Sequence, residues 1–592
     1  MKRTLALFFV VGLLSLVHMA LTSLALAQIA PETPTPTGTV SPFTGNTKLS
    51  GSILAADGPV AGATVRVQAT QNQTLSAADG SFTLIGLTAG RPVTVTASAP
   101  GHYIGWTAAQ PSGEPVTITL NPHYETDNFA YEWFEANGVE GSAACGACHP
   151  SITEWQADGH SKSATNERFL SMYAGTDVHG NKSPDVLKNN VGIPLPPDLT
   201  EPYFGPGFKL DFPNIAGNCA TCHTPMAAKM PNIQNCGWSG CHKDSTTANA
   251  GQILDPGVSP LGLTGDAAEG ISCEFCHKIG QVHIDRKTGL PYPDKPGILS
   301  LRLYRPTEGH DLFFGTVDDI AIAGVSEPHD VYSPLQQESA YCAGCHYGIL
   351  GGVVVGNMAT KGGVLVYSSF SEWLESPYSD KETGKTCQDC HMPTGDNVYF
   401  AWPSKGGVIR DPEQVHNHRM MSEELLQDAV TLTATAVISA GQVVVDVGLT
   451  NDKTGHHIPT DSPLRHAMLI IEATGADGKP LRLQHGPTLP VWTGDYAGQP
   501  GRAYAKILRD EWTGEEPTGA IWRPVTIAED TRLAVLATDA SRYVFQGPNN
   551  GDVTVRVSLL YRKAFQQLME WKGWTDPDVV MEETTLQVRG GR

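Results

Sequence analysis

Twelve cysteines fall into six pairs, and a histidine directly follows the second member of every pair. Five pairs are separated by two residues: Cys145 and Cys148 before His149, Cys219 and Cys222 before His223, Cys273 and Cys276 before His277, Cys342 and Cys345 before His346, and Cys387 and Cys390 before His391. The sixth is wider, Cys236 and Cys241 before His242, with Gly237 and Gly240 in its loop. Two thiols at the shorter spacing can each form a thioether to one of the two vinyl groups on one edge of a haem, and the imidazole that follows then lies under the ring to bind iron. The two extra residues of the sixth pair must bulge, and its glycines permit that backbone. Zinc would gather the pairs into about three tetrahedral sites, and exported disulfides would use an even cysteine count, but neither needs a histidine after every second cysteine. The spacing therefore predicts six covalently held haem c groups.

Such chemistry belongs outside the cytoplasm, and the N-terminus agrees. Residues 1–27 read as a secretory signal: Lys2 and Arg3 open it, Leu5 to Leu16 form the apolar run, and Ala25-Leu26-Ala27 is the small-residue cleavage site. An uncleaved membrane anchor is the competing reading. No cysteine follows the cleavage site to carry a lipid, and no later stretch approaches the roughly 18 apolar residues of a membrane span. The formal charge of -21 becomes -23 once the two cations of the signal are set aside, which disfavours nucleic acid or an anionic membrane surface as partner.

At 592 residues the chain needs several folding units. Residues 28–47 are rich in Pro and Thr and read as an extended linker. Over 48–121, short alternating runs such as Thr64-Val65-Arg66-Val67 are separated by Asp57-Gly58, Asp79-Gly80 and Ala89-Gly90 turns, which predicts a small β-sandwich. Residues 122–425 hold every cysteine, many Gly and Pro and few long periodic segments, so a mostly α or irregular domain packed around its haems is expected. Over 426–592 alternation returns in Gln442 to Val447, His466 to Glu472 and Asp552 to Val557, predicting a second β-sandwich. The fold class is multidomain, with a β-sandwich at each end and the haem region between.

Two stretches resemble known families. Val60-Ala61-Gly62-Ala63-Thr64-Val65, Ala78-Asp79-Gly80-Ser81-Phe82 and Ala99-Pro100-Gly101-His102-Tyr103 resemble carboxypeptidase-regulatory-like modules, which usually serve as stalks or spacers. From about Asp127 onward, Glu154-Trp155 followed by His160-Ser161-Lys162-Ser163-Ala164, the run Cys387 to Pro393, His418-Arg419-Met420 and Gly455-His456-His457-Ile458-Pro459-Thr460 resemble the multihaem cytochromes related to cytochrome c554. Carried over position by position, that resemblance implies His160, His329, His418 and His456 as distal iron ligands. His416 and His457 are rivals within one or two residues, and His123, His179, His283 and His310 are further candidates. Glu372-Trp373 echoes Glu154-Trp155, but Tyr378 stands where His160 stands in the first copy. That haem either recruits a distant histidine or is open, and the plainer role of Tyr378 is packing with its hydroxyl hydrogen-bonded.

Haems this closely spaced along the chain imply electron transfer through neighbouring rings, with other cytochromes as redox partners and no catalytic residue. The acidic surface would steer basic faces of those partners. Nothing local separates a monomer from an oligomer or filament. The alternative is a haem enzyme acting on a small nitrogen or sulfur oxyanion of the hydroxylamine or nitrite type, which needs one open iron.

Overall fold

The computed structural model describes residues 44–128, 131–136, 138–214, 216–228, 258–293, 295–307, 309–322, 329–351, 363–547 and 551–590. The signal segment, nearly all of the Pro/Thr-rich stretch and the Cys236–His242 motif lie outside them. By its contacts the chain divides at Pro42, and all described residues belong to the unit Phe43–Arg592.

In the strand Ser81–Leu87 the side chains of Phe82, Leu84 and Leu87 are buried while Ser81, Thr83 and Ile85 are exposed, the two-residue period of a half-buried strand. It pairs with Thr47–Ala55, which also takes Gly58–Pro59 antiparallel and Val116–Thr119 parallel, so the last strand of the module returns beside its first. A second sheet runs Gln73–Leu75, Thr64–Val67, Val93–Ser98, Gly105–Ala109. Leu49, Ile53 and Phe82 from one sheet meet Val65, Val67 and Val95 from the other in one core, each fully buried side chain contributing about 1.5–3 kcal/mol.

At the C-terminal end a four-stranded sheet runs Thr431–Ser439, Gln442–Thr450, Thr538–Gln546, Leu483–His485. A five-stranded sheet runs Val525–Asp530, Gly501–Asp510, His466–Gly475, Val553–Arg562, Val579–Val588. Val443, Val445 and Val447 of the first face Leu469, Ile471, Val555 and Val557 of the second across a shared core. His466–Gly475 reads as an almost unbroken apolar run because both its faces are covered: Met468 and Ile470 pack on the outer side against Leu489.

Between the ends the chain is irregular. Its longest described α-helix, Glu167–Ala174, starts at Asn166, whose side chain accepts from the Phe169 N–H, and stops at Gly175 with φ of 79°. Two-stranded ribbons such as Ile279–Val282 with Leu301–Leu303 supply the rest of the regular structure. This middle shares a core with the C-terminal sheets, where Tyr173 and Phe208 pack with Trp522, Leu568 and Trp574.

The N-terminal module is docked on the middle rather than held away from it. Arg66 pairs with Asp318 at 3.3 Å, the Ala69 N–H donates to Asp319 at 2.6 Å, and Asp319 also receives Arg410 at 2.5 Å in full burial. Tyr103 completes a small core with Leu312, Phe314 and Val331. The spacer expectation therefore gives way to a fixed contact with residues 311–321 and 330–331, made by the partly buried Arg66–Asp318 pair and by Asp319, which the buried Arg410 holds in place. Among the described residues no helix is long and apolar enough to cross a membrane.

Candidate functional site

Three of the described motifs lie on a single turn of helix, at Ala220–His223, Cys273–His277 and Cys387–His391, while Cys145–His149 and Cys342–His346 are turns closed by a hydrogen bond from the histidine N–H to the first cysteine's carbonyl. Cys273–His277 is capped by Ser272, which accepts from the Phe275 N–H, and Cys387–His391 by a capping box of Thr386 and Asp389. One turn brings cysteines three apart onto one face, with the histidine beside them. All ten described cysteines and all five described motif histidines line one cavity of about 1960 Å³, as do His160, His329, His418 and His456. An ordinary ligand pocket is about 300–1,000 Å³, and close-packed interiors keep no such void for themselves.

Across this cavity the histidines meet in twos. The ring centroids of His346 and His160 are 6.2 Å apart with planes at 66°, those of His277 and His418 are 6.4 Å apart at 25°, and those of His391 and His456 are 6.2 Å apart at 21°. In each pair one member belongs to a cysteine motif and the other does not. Two imidazoles on one metal, each nitrogen about 2.0–2.1 Å from it, place their centroids about 6 Å apart, so the gap suits one iron. The Nδ1 atoms are engaged elsewhere: His277 on the Phe314 carbonyl at 2.5 Å, His391 on Met420 at 2.8 Å, His418 on His416 at 3.1 Å and His456 on His457 at 3.1 Å. His149 and His223 likewise contact the carbonyls of Phe400 and Ser163. A carbonyl only accepts, so Nδ1 carries the proton and Nε2 keeps the lone pair a metal needs. Burial also holds His223 and His418 neutral, pushing each down to about 4.

His149, His223 and His329 have no histidine facing them at that spacing among the described residues. The His223 ring instead lies flat on Phe169 at 3.7 Å. His329 lines the cavity, yet its Nδ1 makes no hydrogen bond and lies 3.1 Å from Asp330. Of the four distal histidines expected, the fold thus brings three opposite a motif histidine. Tyr378 donates its hydroxyl to the Asp452 carbonyl at 3.1 Å, the packing role.

The acids that hold these histidines escape sequence reading, although two lie in the Glu-Trp echo. Glu154 accepts from the His418 N–H at 2.8 Å, and Glu372 accepts from the His457 N–H at 3.1 Å. In the second copy Tyr378 takes the histidine's place, while the acid likewise fixes a distant histidine-bearing segment. Glu372 also accepts from Thr460 at 2.6 Å and from Ser368, and it pairs with Arg532. Burial pushes its carboxyl up, but the Arg532 charge and these hydroxyls outweigh burial and hold it at about 2 against an ordinary 4.5. A depressed carboxyl stabilises above its unfolded value and loses that contribution as pH falls, so about 3 kcal/mol should disappear between pH 4.5 and 2. Denaturant midpoints across that window should fall in the native protein and fall less in Glu372→Gln; equal slopes would remove the assignment.

Thiols of different motifs also come together. Cys145 stands beside Cys273, Cys222 beside Cys345 and Cys342 beside Cys387. Porphyrins attached at these thiols would have neighbouring edges. No cluster of three or more His, Cys, Asp or Glu able to hold a bare metal ion occurs among the described residues. No disulfide joins any of the described cysteines. Paired thiols, a facing pair of imidazoles and a large apolar-walled void fit haem c in the expected way.

Residues 48–121 match the family model of the carboxypeptidase regulatory-like domain, the span the alternating strands occupy. No curated protein matches the sequence. Among solved structures, a penta-heme cytochrome c552 from Thermochromatium tepidum is similar over 76% of this chain and 98% of that chain, at 18% identity and a TM-score of 0.47. A collagen-binding domain from a Staphylococcus aureus adhesin is similar over 27% of this chain and 97% of that chain, at 10% identity and a TM-score of 0.12. Both likenesses are too slight to carry an argument.

Proposed function

We propose that this chain is an exported hexahaem c-type cytochrome, related to the cytochrome c554 group, that passes electrons along haems mainly closed by two histidines. What carries the proposal is the set of three facing histidine pairs inside a cavity lined by every described motif cysteine. When bound, haem c supplies an iron that exchanges one electron between its ferric and ferrous forms. The protein's own residues do the rest. The cysteines would hold each haem covalently, the paired imidazoles would ligate its iron and leave a substrate no place on it, and the carbonyls behind them set imidazole orientation. Residues 122–425 would form the haem domain between the sandwiches 48–121 and 426–592, preceded by a signal at 1–27 and a linker at 28–47. Redox proteins, other cytochromes first among them, would be the partners, met by a surface of net negative charge.

Haem content of the purified protein and electron paramagnetic resonance of its oxidised form test this. Six haems per chain with low-spin ferric signals throughout are expected. A colourless protein overturns the proposal. A high-spin signal of one haem in six that shifts with nitrite or hydroxylamine turns it into a catalyst of the oxyanion type.

A further inference from the structure

One histidine pair is backed differently from the other two. The Nδ1 atoms of His277, His418, His391 and His456 all face backbone carbonyls. His346 instead gives its Nδ1 proton to Asp461 at 2.6 Å, and His160, opposite it, to Asp158 at 2.7 Å. Both carboxylates are enclosed, the side chain of Asp158 being 0% exposed and that of Asp461 11%. Both are also held in place. Asp158 accepts from the N–H groups of His160 and Met421, and Asp461, at a φ of 56°, accepts from the Ser369 N–H. A carboxylate draws the Nδ1 proton more strongly than a carbonyl does, so the imidazole donates more charge to its metal and favours the ferric over the ferrous state.

The same pair sits at a junction. The Tyr341 hydroxyl donates to the Cys276 carbonyl at 2.6 Å, and Cys345 stands beside Cys222 and Cys342 beside Cys387, so three other motifs adjoin the Cys342–His346 turn.

Resting on the function proposed above, we infer that Asp158 and Asp461 lower the reduction potential of the haem held by Cys342, Cys345, His346 and His160. It becomes the lowest in potential of the three histidine-paired haems. An electron crossing between the neighbouring motifs then meets its least favourable stop at the junction and spends little time there. Asp158 and Asp461 are positioning residues that act through the imidazoles.

The haem can be recognised spectroscopically, because its imidazole planes lie at 66° while those of the other two pairs lie at 25° and 21°. Planes far from parallel give the most anisotropic low-spin ferric signal of the three. In a redox titration of the intact holoprotein followed by electron paramagnetic resonance, that signal should be the last of the three to vanish. Asp461→Asn and Asp158→Asn should each favour its ferrous form about tenfold, a rise of about 59 mV for a one-electron couple, and leave the other two in place. Glu423→Gln, which removes a cavity-lining charge without a ligand contact, should not single out this haem. Haem content is measured first. A colourless protein overturns both proposals, whereas full haem content with unmoved potentials, or with a different signal moved, overturns this one alone. If both substitutions cost the protein its haems, the unmodified protein decides, and early loss of the anisotropic signal overturns the inference.

Discussion

Protein made without haem attachment is expected to lose the middle of its fold while the sheets at both ends survive. Unfilled, a cavity of about 1960 Å³ leaves its apolar walls to water, and each large apolar side chain so exposed forfeits about 1.5–3 kcal/mol. Domains are stable by only about 5–15 kcal/mol, so the region cannot persist around empty space. It has little else to lean on, since its described helices, none longer than the eight residues of Glu167–Ala174, do not form alone in water. The end sheets have separate cores, one centred on Leu49, Val65 and Phe82 and the other on Val445, Leu469 and Val557. Hydrogen exchange on such protein should show the amides of Cys273–His277 and Cys387–His391 unprotected, and those of Thr64–Val67 and Gln442–Thr450 still protected. The core shared by Tyr173, Phe208, Trp522 and Trp574 should loosen with the middle, moving tryptophan emission to the red. Full protection of the motif turns in haem-free protein would mean that the cavity is not the seat of haems.

Local patterns were legible in the sequence, and long-range pairings were not. Thr64–Val67 and Ser81–Leu87 could be read because a half-buried strand writes its period into adjacent residues. The cysteine pairs could be read as candidates because thioether attachment would demand such a fixed short spacing. His160, His418 and His456 could be singled out only by resemblance, and nothing in their neighbourhoods says that they face His346, His277 and His391 respectively. That choice is made by loops without period, held by single acids such as Glu154 and Glu372 whose partners lie far along the chain. His329 shows the limit, since standing ahead of a cysteine pair did not place it opposite a motif histidine among the described residues. The docking of the N-terminal module was equally hidden, because Arg66 and Asp318 look like ordinary surface charges until the fold buries them against each other.

His456→Ala should leave the haem at Cys387 and Cys390 attached but with His391 as its only axial histidine, converting one haem in six to the high-spin ferric form. Added imidazole should restore the low-spin signal by filling the vacated position. His457→Ala is the necessary companion, because the two histidines are adjacent in sequence and a shift of register by one exchanges their roles. The structure distinguishes them: the His456 ring lies 6.2 Å from that of His391, while His457 gives its N–H to Glu372 and leaves its Nδ1 without a hydrogen bond, 3.7 Å from the same carboxylate. His457→Ala should therefore keep every low-spin signal and cost at most modest stability, since its anchoring N–H belongs to the backbone and survives the substitution. The opposite outcome, a high-spin signal from His457→Ala and none from His456→Ala, would move the ligand one residue along and break the match between ring spacing and iron coordination on which the pairing rests. A high-spin signal from neither would mean that the Cys387–His391 haem is closed by a group outside this segment. The facing rings would then be neighbours by packing alone, and the same test would be owed to His160 and His418.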